Sequence, residues 1–477
     1  MWYAVVAGLG LALVFLGLGL YLALTGEGAS SSEGERTAAA RKVSGPDMVL
    51  IVLDAMRADR VGAERKGVPV TPFLNKLREE GAWFPDAMTA CTWTRPAMAS
   101  LFTSAYVETH GIVFAAVDEA AGDRQTALGK ERATLAGVLA EAGYATAGVQ
   151  TNGNLFPVMG FDRGFQHYDT SLDAPGQWVT DTSLKALSGL SSPFFLYAHY
   201  MDTHVPYHSS DKWRQLLGYD GAALSEEERK IVEDFKDYYV EWCHYVKGRH
   251  EVFAFEELSE AGKEAALLLY DASVREVDEA VRILVEGVWA KSPEAVVVVL
   301  ADHGEHFWDH GLLGHGLSVY DCELRIPLII HGGKTPPGRQ EGLAEIVDVA
   351  PTLVSLTGLD QPVEWQGKNL FSHVERPAYA RTQSDSPAWN VELDTVVAGD
   401  LKLIVNGKDG TQQLFDRKAD PEEEQDLSAE RPEDLSALLS LLHRHRADNL
   451  RRRSGGHTEV TVDPETLEQL RQLGYMH

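Results

Sequence analysis

The chain has little cysteine and little positive charge for its length. Its 477 residues include 3 cysteines, Cys91, Cys243 and Cys322, which are too few and too widely spaced for a disulfide framework or a zinc knuckle. The chain has 43 lysines and arginines but 71 aspartates and glutamates, and its formal net charge of -28 should repel polyanions. Nucleic acid is therefore not an expected partner. An anionic substrate would need a locally positive pocket, and a metal ion is the natural source of that charge.

The first long apolar run, Trp2 to Leu24, contains no charged residue. A run of this length can cross a bilayer as a helix. Because no lysine or arginine precedes it, an uncleaved membrane anchor is favoured over a cleavable signal sequence, and residues 1–25 are predicted to be the transmembrane anchor or signal. Residues 26–46 are small and polar and are predicted to form a flexible linker.

The rest of the chain contains no internal repeat of about 20 to 50 residues, which excludes solenoids and propellers. Apolar runs rich in β-branched residues predict buried strands at 48–53, 194–199, 295–300 and 328–330. Amphipathic stretches between these runs predict helices at 71–80, 134–142 and 264–286. The alternation predicts an α/β fold with a mostly parallel sheet flanked by helices, whose ligands bind beyond the carboxyl ends of the strands.

The pattern of predicted helices and strands changes after about residue 333. A predicted helix at 348–357 is followed by strand-like segments at 395–397, 401–405 and 412–415, separated by turns. This order predicts a small antiparallel sheet with helices. The predicted domains are therefore a catalytic domain at 47–335, with an insertion at about 209–261, and a C-terminal α+β subdomain at 336–477.

Two predicted strands are followed at once by polar residues suited to metal binding. Asp54 follows MVLIVL, and Asp302 with His303 follows AVVVVLA. If the two strands are neighbours, oxygen and nitrogen ligands meet at one edge of the sheet and can bind a divalent cation. Read alone, Asp54 is equally well explained as the N-cap of the next helix.

A hydroxyl and two histidines complete the set of candidate residues. Thr94 stands before Pro96 at a predicted helix start, where a metal and the helix dipole together can activate a hydroxyl as an alkoxide. By itself, a threonine in such a place is more often a cap. His204 in YAHYMDTHVPYH and His315 in GLLGHGLSVYDCELRIP can donate to anionic oxygens or protonate a leaving group, although a lone histidine is usually structural.

In chain order, VLDAMRADRVG, TWTRPAMASLFTS, HYMDTHVPY and ADHGEHFWDHGLLGHG resemble the motifs of the sulfatase family of the alkaline-phosphatase superfamily. The resemblance covers nearly everything from Asp47 to Tyr475. It implies an alkaline-phosphatase-like α/β domain with a smaller C-terminal subdomain, and a metal-dependent hydrolase or group transferase acting on sulfate or phosphate esters. It also implies that the catalytic domain is extracytoplasmic and tethered to the membrane.

The resemblance departs from the family pattern at the nucleophile. Typical sulfatases convert the Cys or Ser of a C/S-x-P-S-R signature to formylglycine, but Cys91 lacks the proline of that signature. Alignment on Pro96 places Thr94 at the nucleophile position and Met98 at that of the signature arginine. Threonine cannot become formylglycine and is the nucleophile of phosphoryl-transferring relatives. The resemblance therefore implies a metal-bound Thr94 that forms a covalent intermediate, and it favours phosphodiester and phosphonate substrates.

The resemblance also assigns the metal ligands and the substrate histidines. It implies that Asp54, Thr94, Asp302 and His303 bind one divalent metal ion, with Mn²⁺, Mg²⁺, Ca²⁺ and Zn²⁺ all left open. It places His204 at the family's substrate-oxygen histidine and His315 at a substrate-binding lysine.

Nearby residues leave further alternatives open. Asn152 or Asn154 is expected to line the pocket, and Asp202 or His208 is the nearest candidate for a second metal. A sulfuric ester hydrolase proper is one alternative function. The other is a catalytically degenerate membrane protein that binds a glycan or lipid headgroup, which the loss of the arginine at Met98 favours and the complete ligand set disfavours.

Overall fold

The computed structural model describes residues 45–113, 124–172, 174–207, 209–233, 258–372, 374–384, 391–453 and 457–461. The predicted anchor at 1–25 and the linker up to residue 44 lie outside this part of the chain, as does most of the C-terminal half of the predicted insertion. None of the helices within the described ranges is both long enough and apolar enough to cross a membrane. The domain boundaries given above remain predictions.

The strands of the described residues follow the apolar runs of the sequence. In chain order they are β1 (Met48–Leu53), β2 (Glu64–Arg65), β3 (Val68–Pro69), β4 (Ala82–Trp83), β5 (Ala87–Met88), β6 (Arg124–Leu128), β7 (Ala145–Gln150), β8 (His167–Thr170), β9 (Phe194–Tyr200), β10 (Val296–Ala301), β11 (His306–Phe307), β12 (Leu313–Gly314), β13 (Leu328–His331), β14 (Gly338–Arg339), β15 (Ala344–Glu345), β16 (Ala378–Ser384), β17 (Val391–Ala398), β18 (Leu401–Asn406), β19 (Gln412–Asp416) and β20 (His457–Thr461).

The α-helices of the described residues lie mainly between these strands. They are α1 (Pro72–Glu80), α2 (Thr94–Thr103), α3 (Val107–His110), α4 (Leu135–Glu141), α5 (Gly176–Gly189), α6 (Asp211–Leu217), α7 (Glu226–Glu233), α8 (Glu260–Lys291), α9 (Asp321–Leu324), α10 (Val349–Leu356) and α11 (Pro432–Arg452). The helices predicted at 71–80, 134–142, 264–286 and 348–357 are thus present, with ends that differ by a few residues.

The main sheet has eight strands in the order β14-β4-β13-β10-β1-β9-β7-β8. The central strands β10, β1, β9, β7 and β8 run parallel, as predicted, and β1 and β10 are buried along their whole length. The sheet is nevertheless mixed, because β13 pairs antiparallel with both β10 and β4. The predicted parallel arrangement therefore holds for the part of the sheet that carries the site.

The C-terminal region contains the predicted antiparallel sheet, in the order β16-β17-β18-β19. A buried ion-pair cluster joins this sheet to the segment that follows β12. Lys402 of β18 is fully buried and lies 2.8 Å from Asp321 and 2.6 Å from Glu423. A buried cation needs such partners because its desolvation is otherwise costly. The cluster thus links the small sheet to the loops at the edge of the main sheet.

Candidate active site

The two carboxylates predicted as metal ligands lie side by side at the carboxyl edge of the sheet. Strands β1 and β10 are parallel neighbours, and Leu53 pairs with Ala301, so the next residues, Asp54 and Asp302, emerge together. Ala55 has a φ of 55°, in the left-handed region that alanine rarely adopts. Its amide N–H donates to Asp302 Oδ1 at 3.1 Å. This turn ties the two strand ends together, and such local strain is typical of functional sites.

Thr94 is the first residue of α2, at the helix start that the sequence predicts. All residues of this helix are buried, and its N-terminus faces the strand ends. Thr94 Oγ1 lies 3.5 Å from each carboxylate oxygen of Asp54 and 3.3 Å from His303 Nε2. The helix N-terminus adds a partial positive charge that favours a negative oxygen at this position.

His303 directs one ring nitrogen into the same space. Its Nδ1–H donates to the carbonyl oxygen of Gly304 at 2.9 Å, so the neutral ring carries its lone pair on Nε2. Nε2 lies 3.5 Å from Asp302 Oδ2 and 3.8 Å from Asp54 Oδ1. The structure therefore brings donor atoms of all four predicted ligands to one point.

The donor set fits a divalent cation. Asp302 Oδ2 is buried and has no hydrogen-bond partner among the described residues, an arrangement that is costly for a carboxylate. Burial raises the pKa of Asp302, and the nearby charge of Asp54 raises it further. A cation between the two carboxylates would satisfy the orphan oxygen. Oxygen and imidazole donors suit Mn²⁺, Mg²⁺, Ca²⁺ and Zn²⁺ alike, so the donor types do not select among them.

His199 is a site residue that the sequence reasoning missed. It lies on β9, is fully buried, and its Nε2–H donates to Asp54 Oδ2 at 2.8 Å, while its Nδ1 accepts from the Tyr197 hydroxyl at 2.8 Å. Ligand atoms of His199, Asp54 and Asp302 lie within 4.8 Å of one another, but with its proton on Nε2 and its Nδ1 on the Tyr197 hydroxyl, His199 holds Asp54 and does not itself offer a lone pair to a cation. The available signal was a histidine inside the apolar run FFLYAHY.

The neighbours of Asp54 keep it ionised. Burial by itself raises the pKa of Asp54, but the hydrogen bond from His199 and the charges of the nearby histidines outweigh burial and lower this pKa well below its usual range. Asn152 Nδ2 also donates to Asp54 Oδ2 at 2.7 Å. Asn152 thus contacts a predicted metal ligand, whereas Asn154 Oδ1 accepts from Arg95 Nη2 at 2.8 Å. The carboxylate is held in one orientation and in its charged form.

The two histidines predicted to act on the substrate extend the site from His303. The His315 ring lies 4.5 Å from the His303 ring and 4.8 Å from the His204 ring, between centroids, and Trp93 packs edge-on against His315. The Nδ1–H of His204 donates to the carbonyl oxygen of Val205 at 2.5 Å. Burial lowers the pKa of both histidines, that of His315 to about 3. Both rings are therefore neutral at pH 7 before a substrate anion enters.

Glu305 is the second site residue that the sequence reasoning missed. It is fully buried; its Oε1 accepts from His315 Nδ1–H at 2.9 Å and its Oε2 from the Tyr207 hydroxyl at 3.2 Å. Burial raises the pKa of Glu305 to about 7. The carboxylate holds the ring of His315 through Nδ1, so Nε2 is the nitrogen that can act on a substrate. Glu305 is therefore a positioning residue for His315.

We expect Glu305→Ala to lower kcat by roughly 10–100-fold with a smaller change in KM, because His315 loses its orientation while substrate contacts remain. Glu305→Gln should lose less, because its amide oxygen can still accept from Nδ1–H. Tyr207→Phe is the matched control, since it removes the hydrogen bond to the other oxygen of Glu305 and leaves the contact with His315. Steady-state kinetics over a pH series would check this, and an Ala variant with wild-type kcat and pH profile would contradict it.

Two further residues considered from the sequence lie apart from this arrangement. Cys91 is buried with Sγ 3.9 Å from Thr382 Oγ1, and burial raises its pKa to about 12, so it is a poor nucleophile. Asp202 Oδ1 accepts from the backbone N–H of Gly176 at 2.9 Å, at the start of α5. His208, the other candidate for a second metal, lies outside the described residues.

Comparison with known families decides the classification. Residues 46–359, well over half of the chain, match the family model described as Sulfatase. The chain belongs to the sulfatase family. It is accordingly a hydrolase of the class that cleaves ester bonds. The α/β domain with its eight-stranded sheet and the four-stranded C-terminal sheet agree with this family assignment.

Two relatives in sequence match most of this chain at low identity. The uncharacterized sulfatase YidJ of Escherichia coli (strain K12) is 23% identical over 432 residues, which cover 80% of this chain and 83% of the relative. The multifunctional alkaline phosphatase superfamily protein PehA of Trinickia caryophylli is 25% identical over 482 residues, which cover 80% and 91%.

Solved structures share the fold at low identity. A protein in complex with D-glucosamine-2-N,6-O-disulfate superposes with a TM-score of 0.67 at 17% identity, over 86% of this chain and 99% of that chain. The phosphonate monoester hydrolase of Silicibacter pomeroyi superposes with a TM-score of 0.64 at 17% identity, over 85% and 96%. These likenesses show the fold of the sulfatase-family chain and leave its substrate to be argued from the site.

Proposed function

We propose that this sulfatase-family hydrolase cleaves phosphodiesters or phosphonate monoesters with Thr94 as its nucleophile. The observation that carries the proposal is the position of Thr94 Oγ1, at a helix N-terminus and within 3.5 Å of both Asp54 oxygens and His303 Nε2. Cys91, the other residue near the signature, contacts Thr382 instead.

The chain's residues divide the reaction between them. Thr94 Oγ1 attacks phosphorus in line, so that an Oγ1–P bond forms while the bond to the leaving alcohol oxygen breaks. The Thr94 hydroxyl proton passes to solvent. His315 and His204 carry their proton on Nδ1, so a proton from solvent must first be drawn onto Nε2 of one of them by the substrate anion, and the leaving oxygen takes that proton. Water then attacks phosphorus, Nε2 of the same histidine accepts its proton, and Thr94 leaves as its oxygen regains a proton from solvent. Another alcohol in place of water would make the enzyme a transferase.

Asp54, Thr94, Asp302 and His303 would hold one divalent cation. When bound, the cation would supply positive charge that favours the ionised Thr94 oxygen and the charge on the nonbridging oxygens of the ester. His199 and Asn152 would orient Asp54 for this role through their hydrogen bonds of 2.8 and 2.7 Å. Retention of this complete set argues against a degenerate binding protein.

Phosphorus is favoured over sulfur because the nucleophile is unmodified. A sulfated threonine has no second hydroxyl on the same carbon with which to expel sulfate by elimination, whereas a phosphothreonine can be cleaved by in-line attack. The names of the phosphonate monoester hydrolases of similar fold agree with this chemistry. Sulfate esters are the second candidate, supported by the relative solved with a disulfated sugar.

A substrate panel would test the proposal. With Mn²⁺ added, we expect kcat/KM for an aryl phosphodiester and an aryl phosphonate monoester to exceed that for the matching aryl sulfate by at least about tenfold, or ~1.4 kcal/mol. The same leaving alcohol in all three substrates is the control for leaving-group effects. Faster sulfate turnover, accompanied by an oxidised residue 91 in the mass spectrum, would overturn the assignment.

We further propose that residues 1–25 anchor the enzyme and that its catalytic domain is extracytoplasmic. The support is the uncharged run Trp2 to Leu24 and the polar linker behind it. The full chain should stay with membranes after a carbonate wash, while a chain beginning at Ser44 should be released and active. Protease added outside intact cells should degrade the catalytic domain, and full protection there together with lysis-dependent cleavage would place it on the cytoplasmic side.

A further inference from the structure

A second group of metal-ligand side chains lies on the segment that follows the active-site loop. Ligand atoms of His306, Asp309 and Cys322 all lie within 4.8 Å of one another. Cys322 Sγ is 3.2 Å from His306 Nδ1. Sulfur and nitrogen ligands of a single tetrahedral zinc ion stand about 3.5 Å apart, given bonds of about 2.3 and 2.0 Å. The thiol and imidazole are therefore already close to chelating distance.

A buried carboxylate sets the tautomer of His306. His306 Nε2 lies 2.9 Å from Glu323 Oε1 and 2.8 Å from Ser318 Oγ, and both His306 and Glu323 are fully buried. A lone pair on Nε2 would face a negative oxygen, so the proton belongs on Nε2 and the lone pair on Nδ1. Cys322 Sγ lies 3.2 Å from Nδ1 and 3.8 Å from Nε2, over the face of the ring, so the Cys322 side chain would turn toward the Nδ1 lone pair to share a cation with it. A carboxylate behind the ring is the arrangement that orients histidines in metal sites.

The other two ligands open onto a cavity of about 310 Å³. Asp309 is fixed from behind, because Arg57 Nη1 and the Phe307 backbone N–H each donate to its Oδ2 at 2.7 Å. The cavity lining holds six carboxylates and two guanidinium groups. Four of the carboxylates already pair with a cationic side chain: Asp59 and Asp309 with Arg57, and Asp321 and Glu423 with Lys402. Glu422 and Glu424 add negative charge beyond these pairs.

Metal binding at this site would exchange a proton for a cation. Without a cation, the Cys322 S–H group lies against the His306 ring. A bound cation would replace this proton, and the proton would be released to solvent as the metal–sulfur bond forms.

We propose that His306, Asp309 and Cys322 form a second metal site, separate from the ester-cleaving site, for a thiophilic divalent cation of the zinc class. A thiolate selects such ions over Mg²⁺ and Ca²⁺, and three protein ligands leave a position for water in the cavity. Residues 306–322 include His315, so a cation at this second site would hold the loop that carries a substrate histidine.

Cobalt spectroscopy on the full chain in detergent tests the proposal. After removal of metals with a chelator, titration with Co²⁺ should give a sulfur-to-cobalt absorption band in the near ultraviolet. We expect Cys322→Ser to lose the band, and Asp302→Ala, which disables the ester-cleaving site, to keep it. Cys91→Ser and Cys243→Ser are matched thiol controls and should keep it. Zn²⁺ should displace the cobalt, and excess Mg²⁺ should not.

Two further measurements distinguish a loss of metal binding from a loss of folding. Asp309→Asn keeps the thiol and should weaken Co²⁺ binding at least about tenfold while the band still appears at saturation. The metal-free melting temperature of Cys322→Ser should match that of the metal-free wild type. No band in the wild type, a band that persists in Cys322→Ser, or equal metal content in these two proteins would overturn the site. None of these readouts requires ester turnover, so they are independent of the proposed activity.

Discussion

Thr94→Ala is expected to lower kcat/KM by at least about 10⁴-fold, because loss of a nucleophile removes the whole covalent pathway. Its side chain is 97% buried, and the substitution leaves the helix N-terminus and the carboxylates in place, so the fold should survive. Thr94→Ser keeps the hydroxyl and should retain much of the activity. Kinetics on the phosphorus ester identified as the best substrate would give the ratio.

The matched control for the nucleophile is Cys91→Ser. Cys91 Sγ is buried beside Thr382 Oγ1, and we expect turnover to stay within about twofold of the wild type. Intact-mass spectrometry after brief exposure to substrate should show a phosphoryl adduct that maps to Thr94 and is absent from Thr94→Ala. Equal activity of the Thr94→Ala protein, or an adduct on residue 91, would contradict the assignment.

The second large effect is expected from Asp302→Ala, which should remove both the bound cation and at least about 10³-fold of kcat/KM. Asp302 supplies a buried oxygen that has no hydrogen-bond partner among the described residues. His303→Ala should act in the same direction, since its Nε2 faces the same point. Metal analysis of the purified variants, together with kinetics at saturating Mn²⁺, would measure both losses.

Melting temperatures of the metal-free proteins would distinguish the loss of the metal from misfolding. Burial and the charge of Asp54 raise the pKa of Asp302, so its ionised form costs free energy in the metal-free protein. Asp302→Ala also removes the acceptor of the Ala55 and His303 backbone N–H groups, which opposes the relief of the buried charge, so its metal-free melting temperature should fall less than that of Asp278→Ala. Asp278→Ala is the matched control: Asp278 accepts from Phe73 N and Leu74 N at 2.9 Å, so its loss should lower the melting temperature and leave the metal bound. Full metal occupancy in Asp302→Ala would place the cation elsewhere.

Local patterns in the sequence were enough to predict the elements that carry the ligands. The runs MVLIVL and AVVVVLA become β1 and β10, and each is followed by a metal-ligand candidate because ligands of parallel sheets bind beyond the carboxyl ends of the strands. The helix start at Thr94 was predicted from Pro96 and the small residues of α2, whereas the role of Thr94 as nucleophile was implied by the resemblance to the sulfatase family. These features depend on neighbours within a few residues, and such patterns are visible in one sequence.

Contacts between distant segments were decided only by the tertiary structure. His199 reaches Asp54 across 145 residues, and nothing in an apolar strand sequence says which face its one histidine occupies or which strand lies beside it. The antiparallel pairing of β13 likewise depends on the path of the chain between strands.

The roles of Glu305, His306 and Cys322 show the same division. The sequence alone determined an α/β fold, its buried strands and the residues at their ends, because hydrophobic periodicity is a local property. The string ADHGEH presents a glutamate and a histidine two and three residues beyond His303, but only folding turns Glu305 toward His315 and His306 toward Cys322. Which side chain orients another, and which pair can chelate a cation, depends on distances of about 3 Å that arise when separate segments pack together.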